Sequence, residues 1–369
     1  MKSVHKLEFF WYLKIKSQRG IIYFFLLVAS YLYTLIVYIR TKLYNLDYFK
    51  KKKFEKSFII SIGNLTLGGA GKTPMVEYLS NIMTDMNLRA SVISRGYGSK
   101  YENDTRIRIV TNGKDLLLKQ VEAGDEPYML ALQLKKVPII VNKNRAKAIE
   151  AAIEKFNSEV ILLDDAFQRF DIHKDLEIVI FDGTNDMKIY KMFPAGILRE
   201  PMSALQRADI CIINKISSKS DNHELLDFIR SYNNSIPVFY GNYKFVSLMN
   251  LNTDEIVSFE SIMNKNLTIF AGIGNIQKFK NMIEHNLKPQ KINSIKFPDH
   301  HFYSPRDIKR LQLFANISDA VITTYKDAVK LKNKIPHSSN IYYTIIKMEI
   351  EEPESFRNTI QYFLKGGAL

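Results

Sequence analysis

The stretch "FIISIGNLTLGGAGKTPMVEYL" (Phe58–Leu79) restricts the fold of this chain more than any other. A β-branched run passes into a glycine-rich turn, then Lys-Thr, then apolar residues at helical spacing, the strand–loop–helix order of a phosphate-binding loop. The pattern G-x-x-x-x-G-K-[ST] is met except at its first glycine, where Thr66 stands. Gly68, Gly69 and Gly71 permit torsions that turn successive N–H groups inward around phosphate. Thr66, Leu67, Gly68, Gly69, Ala70, Gly71, Lys72 and Thr73 are therefore the expected nucleotide-binding segment. Lys72 is placed to reach the β- and γ-phosphates, and the Thr73 hydroxyl to bind Mg²⁺. Pro74 fits the first helical turn, where an N–H has no partner to lose.

The remainder repeats the same grammar. "ASVIS", "VPIIVN", "EVILLDD", "LEIVIFDG" and "ADICIINK" are short apolar runs, with helical stretches such as "NRAKAIEAAIEKF" between several of them. Such runs indicate a mostly parallel sheet covered on both faces. The expectation is an α/β fold of the P-loop NTPase type, with catalytic groups on loops at the carboxyl ends of strands. A second α/β stretch begins near residue 266, after the polar segment "NLNTDEIVSFESIMNKN". The expected division is an anchoring segment 1–56, a nucleotide-binding core 57–250, and a smaller C-terminal α/β domain 251–369.

"EVILLDDAFQ" places Asp164 and Asp165 at a strand end, the arrangement in which a carboxylate holds Mg²⁺ directly or through water. Two NTPase classes fit poorly. "INKIS" has Ser217 where a guanine-reading N-K-x-D motif needs aspartate, and "NLTLGG" lacks the extra lysine of partition-type ATPases.

Charge is concentrated at one end. Residues 1–56 hold 12 Lys/Arg against 3 Asp/Glu, a net +9, out of +14 for all 369 residues. A nucleic-acid binder would spread its positive surface over the folded body, so no nucleic-acid partner is inferred. Between Arg19 and Arg40 lie 20 uncharged residues, "GIIYFFLLVASYLYTLIVYI". As a helix (about residues 20–39) they would span roughly 30 Å, the hydrocarbon thickness of a bilayer. Basic and aromatic flanks suit anionic headgroups. The balance of charge on the two sides does not choose between a span and insertion in the plane of the membrane. The single cysteine, Cys211, lies in an apolar run and reads as a buried structural thiol in a reducing compartment.

Several further loops agree in order. "ISRGYGS", "EAGDEPYMLA", "FPAGILREP", "FAGIGN" and "FPDHHFYSP", together with "GNLTLGGAGKTP", closely resemble the tetraacyldisaccharide 4'-kinase family from about Ile60 to Lys330. The resemblance implies transfer of phosphate from ATP, with Mg²⁺, to the 4'-hydroxyl of an acylated glucosamine disaccharide 1-phosphate. It places the reaction at the cytoplasmic face of the inner membrane, with the bilayer as partner and no obligate protein partner. It also implies that Asp125 is the general base, assisted by His300 rather than His301. A helix N-cap for Asp125 and a hydrogen bond from His300 to Asp299 are the structural alternatives. Arg199 is expected to stabilise the transferring phosphoryl group or bind the substrate's 1-phosphate, and Glu200 to be a further Mg²⁺ contact, unless the two only form salt bridges. Arg95 is a phosphate or loop-ordering contact. The chain departs from the family pattern at Ala166, Arg169, Tyr325 and Ala70. The alternative function is a membrane-tethered P-loop ATPase acting as a switch or transport-coupling factor with a protein partner, for which Asp125 and His300 would be dispensable.

Overall fold

The computed structural model describes residues 11–216, 223–299, 301–332, 334–335 and 340–367. Residues 11–17 are helical (α1), and α2 covers Ile21–Asn45. The first half then supplies β1 (Phe58–Gly63), α3 (Lys72–Asp85), β2 (Ala90–Ser94), β3 (Arg108–Thr111), α4 (Gln120–Ala123), α5 (Asp125–Gln133) and β4 (Ile139–Val141). It continues with α6 (Arg145–Phe156), β5 (Val160–Asp164), β6 (Leu176–Asp182), β7 (Ile210–Asn214), α7 (His223–Tyr232) and β8 (Val238–Asn250). The second half has β9 (Ile256–Val257), β10 (Asn266–Ala271), α8 (Ile276–Leu287), β11 (Lys291–Lys296) and α9 (Pro305–Ile317). It closes with β12 (Ala320–Thr324), α10 (Tyr325–Leu331), β13 (Ile341–Ile350) and α11 (Pro353–Leu364).

Among the described residues the strands form one 13-stranded sheet, ordered β11-β10-β12-β13-β8-β7-β6-β1-β5-β2-β4-β3, with β9 on β8. β1 lies between β5 and β6, parallel to both: the connection from β1 goes to β2 on the β5 side, and the one from β5 crosses to β6 on the other. In open α/β sheets a ligand binds in the crevice at such a switch point, outside the carboxyl ends of the strands. The core strands are buried along their whole length, as two-sided coverage by helices demands.

β8 explains how the second half relates to the first. Its opening residues run parallel to β7 up to the pair Asn214↔Gly241. Beyond Gly241 the strand projects past the core and pairs antiparallel with β13, from Ile350↔Gly241 to Tyr342↔Asn250. β12 and β10 then follow β13 in parallel. The second half is thereby inverted, and its carboxyl edge faces the carboxyl edge of the first across a cleft.

The chain changes character near residue 250, where β8 ends, yet it returns afterwards. Phe356, Ile360 and Phe363 of α11 are buried in the same cluster as Ile60, Met75 and Leu79 of the nucleotide-binding half. Burying three such side chains is worth about 5–9 kcal/mol in transfer free energy, enough to hold the C-terminus on the first half.

α2 is longer than the expected 20–39 and is one-sided. Tyr23, Ser30 and Val37, spaced by seven, face the body, whereas Phe25, Leu32 and Ile36 are more than 60% exposed. It is long and apolar enough to cross a membrane.

Candidate active site

The glycine loop is built from both sides. Gly71 sits at φ +105°, and a Cβ there would collide with the Asn214 amide and the Tyr243 hydroxyl, so only glycine is accommodated. Asn214 Nδ2 donates to the Ala70 carbonyl at 2.8 Å, and Lys215 Nζ donates to the Gly69 carbonyl. The "INK" segment therefore fixes the loop rather than reading a base. Lys72 Nζ lies 3.3 Å from Asn64 Oδ1 and 3.7 Å from Asp165 Oδ1, which aims it over the loop mouth.

Thr66 explains the absent glycine. Its side chain is buried, and its backbone forms an antiparallel bridge with Leu198. The Leu67 N–H donates to the Ile197 carbonyl at 2.7 Å, so this amide is committed to the chain. The turn around phosphate is left to Gly68–Gly71.

Asp164 and Asp165 end β5 beside the loop. Asp164 is buried, and its Oδ1 has no hydrogen-bond partner. Burial and then the Asp165 charge push its carboxyl up to about 6. For Asp165 burial acts in the same direction, but Lys72 and Arg199 outweigh it and hold the carboxyl below its ordinary range. Arg199 Nη1 lies 3.1 Å from Asp165 Oδ1. Lys72, Asp165 and Arg199 thus form one charged cluster at the mouth of the loop. Glu200, next to Arg199, is buried and pairs with Arg207 at 3.1 Å, and Arg207 packs over the Phe167 and Phe170 rings. The salt-bridge alternative describes Glu200 as found.

Asp125 is not an N-cap: Gly124 occupies that position, and Asp125 opens α5. Lys330 Nζ approaches its Oδ2 at 2.7 Å, and Gln120 Nε2 donates to its Oδ1. His300 lies outside the described residues. The neighbouring His301 is engaged elsewhere, with Nε2 3.1 Å from Asp307 Oδ2 at the start of α9 and its ring stacked on Phe297. Asp299 meets Lys326 at 3.0 Å. Arg95 pairs with Glu102 at 3.3 Å, the loop-ordering alternative. Cys211 is buried in β7, and burial pushes its thiol far up, as a structural thiol requires.

Opposed strand edges, a loop shaped for phosphate and a second carboxylate under a lysine meet in one place, and comparison with known proteins shows the family. The family model described as "Tetraacyldisaccharide-1-P 4'-kinase" matches residues 22–365. The chain belongs to the tetraacyldisaccharide 4'-kinase family. The tetraacyldisaccharide 4'-kinase of Halothermothrix orenii is 35% identical over 350 residues, covering 90% of this chain and 90% of that protein. The Desulfatibacillum aliphaticivorans kinase is 32% identical, with 92% of each chain covered. The crystal structure of LpxK from Aquifex aeolicus in complex with ATP superposes with a TM-score of 0.74 at 30% identity, covering 93% of this chain and all of that one. The Aquifex aeolicus kinase thus shares the fold described above, including its second half.

Sequence reasoning missed Asn64, Asn214, Lys215, Lys326 and Lys330. The lysines of "TTYKDAVK" carried a readable signal, a pair spaced by four on one short helix, but nothing local says which acids they meet.

Proposed function

We propose that the protein transfers the γ-phosphoryl group of ATP to the 4'-hydroxyl of tetraacyldisaccharide 1-phosphate, forming the 1,4'-bisphosphate of lipid A biosynthesis. The observation that carries this reading is spatial. The glycine loop, the Asp164–Asp165 strand end and the Asp125 loop share one carboxyl edge, in a chain that the family model matches from residue 22 to 365.

The residues present fit ATP and Mg²⁺. Asp164 offers a buried oxygen that nothing in the protein satisfies at the end of β5, and Thr73 stands in the first turn of α3, which follows the glycine loop. Mg²⁺ takes one or two carboxylates and completes its shell with phosphate and water. Thr73, Asp164 and Asp165 would hold it, and bound there the metal neutralises phosphate charge. Glu200 would join them only by exchanging its Arg207 partner.

Lys72 and the amides of Gly68–Gly71 bind and orient the β- and γ-phosphates. Arg199, anchored by Asp165, offers its guanidinium to the transferring group. Asp125 accepts the proton of the 4'-hydroxyl as that oxygen bonds to the γ-phosphorus, and the bond to ADP breaks with its electron pair leaving on ADP. His300 assists Asp125. Because the transition state is loose, positioning and charge neutralisation are the main contribution of these groups.

Membrane association follows from α2, whose exposed apolar face we place in the lipid of the inner membrane, with the two facing edges on the cytoplasmic side. The other face is occupied: Ser30 Oγ donates to the Met192 carbonyl at 2.9 Å and the Tyr33 hydroxyl to the Arg199 carbonyl at 3.0 Å. A helix so attached favours lying along the bilayer surface over a span surrounded by lipid.

The test is direct. Purified protein in vesicles is incubated with ATP and the acylated disaccharide 1-phosphate, and the lipid is weighed by mass spectrometry. A gain of one phosphate supports the reading, and ATP hydrolysis with no gain overturns it.

A further inference from the structure

α10 belongs to the second half, yet it supplies the contacts that close on the Asp125 loop of the first. Lys326 and Lys330 lie one turn apart on the same face of this helix. Lys330 Nζ is 2.7 Å from Asp125 Oδ2, with side chains only 7% and 12% exposed. Lys326 Nζ is 3.4 Å from Glu126 Oε1 and 3.0 Å from Asp299 Oδ1. Charges removed from water to this extent are held only where a partner is held with them.

The helix that carries them is fixed. Thr324 caps it by accepting from the Asp327 N–H, and Asp327, fully buried, accepts from the Gly272 N–H at 2.9 Å. Lys330 therefore approaches Asp125 from an element anchored to the sheet of the second half. From the other side the Gln120 amide, on α4, donates to the remaining oxygen, Oδ1. One carboxylate is thus held by an amide from its own half and an ammonium from the opposite half. Further charged neighbours are Glu126 on α5 and Lys326 on α10.

We propose that Lys330 is a positioning residue for phosphoryl transfer: it keeps the Asp125 carboxylate ionised and aimed, so docking of the second half completes the base. The inference rests on the reading of Asp125 as the base. Lys330 needs no contact with either substrate.

The experiment compares the pH dependence of kcat/KM for lipid phosphorylation in the full-length protein and in Lys330→Met, Lys330→Gln, Lys330→Arg and Asp125→Asn, each with its affinity for ATP. An opposite charge within ion-pair distance lowers a carboxyl pKa by about 1–3 units. Both neutral variants are expected to move the acid limb at least about one unit toward alkaline pH, with ATP affinity unchanged within about twofold. Lys330→Arg restores the limb. A salt bridge that merely joins the halves would lower kcat/KM equally at every pH. An unshifted limb in Lys330→Gln, with Asp125→Asn inactive, overturns the role of Lys330 and leaves the base reading intact. Full activity in Asp125→Asn overturns both. If Lys330→Met does not fold, the glutamine and arginine variants decide the matter by the same criterion.

Discussion

The two halves of the sheet are built alike and used differently. Each is a set of parallel strands whose carboxyl ends meet the cleft, and each places a buried aspartate there, Asp164 in the first half and Asp327 in the second. Among the described residues both leave Oδ1 without a hydrogen-bond partner, but they differ in what the other oxygen holds: Asp164 Oδ2 accepts only a long bond from Ser94, whereas Asp327 Oδ2 holds the Gly272 N–H at 2.9 Å and the Thr324 hydroxyl at 2.8 Å. The first half holds chemistry in reserve, and the second uses its aspartate to fix a helix that presents two lysines. The facing edges are thus complementary in sign as well as in shape: Lys278 of α8 also reaches Asp182 and Thr184 across the cleft.

The contrast is broken most decisively through Lys72. Lys72→Met is expected to lower kcat about 10²–10³-fold, the cost of removing a preorganised cation from a developing charge, while the thermal unfolding midpoint stays near wild type. A similar fall in Tm would mean that Lys72 is structural, like Asp327. The converse substitution, Asp327→Ala, leaves the N–H and hydroxyl partners unpaired. It is expected to destabilise the protein by about 3 kcal/mol, measured by denaturant unfolding, with ATP affinity retained.

A smaller effect tests the seam. Glu77 of α3 lies near Lys347 of β13, and burial raises its carboxyl to about 6 although Lys347 opposes the shift. The raised value means that the folded state binds the proton more tightly than the unfolded state. Stability is therefore lost as pH rises from about 4.5 to 6 and stays lower above. Glu77→Gln is expected to stabilise by about 1–2 kcal/mol at pH 8, a gain that vanishes by pH 4. An equal gain at both pH values would remove ionisation as its cause. Last, Lys326→Met breaks the more exposed of the two α10 contacts, with Asp299 45% exposed. It is expected to cost under about 1 kcal/mol of stability and to leave the acid limb of kcat/KM in place, which separates it from Lys330.

What the sequence disclosed follows the same division. The glycine loop, the Asp164–Asp165 strand end and the core strands were legible because each is a local pattern: a period, a turn chemistry, a carboxylate after an apolar run. The inversion of the second half was not. It depends on β8 continuing past Gly241 and pairing with residues about a hundred positions later, and no local pattern specifies that partner. The return of α11 to the first core is hidden for the same reason. The reach of Lys330 to Asp125 follows from both and could be seen only after the sheet was assembled. α2 was legible in length and composition but not in its two faces, because Tyr23, Ser30 and Val37 do not differ in polarity from their neighbours in any periodic way.

One connection has a consequence for where the reaction can occur. The loop between Met192 and Pro201 accepts hydrogen bonds from Trp11, Ser30 and Tyr33 on one side. On the other it holds Thr66 and Leu67 through Leu198 and Ile197. On the proposed placement of the outward face of α2 in lipid, this loop would act as a depth gauge. The height of the phosphate above the acyl chains is set by folded backbone and not by the slack of a tether. A sugar hydroxyl at the matching height is within reach, and the same hydroxyl on a molecule floating free of the bilayer has nothing to bring it there.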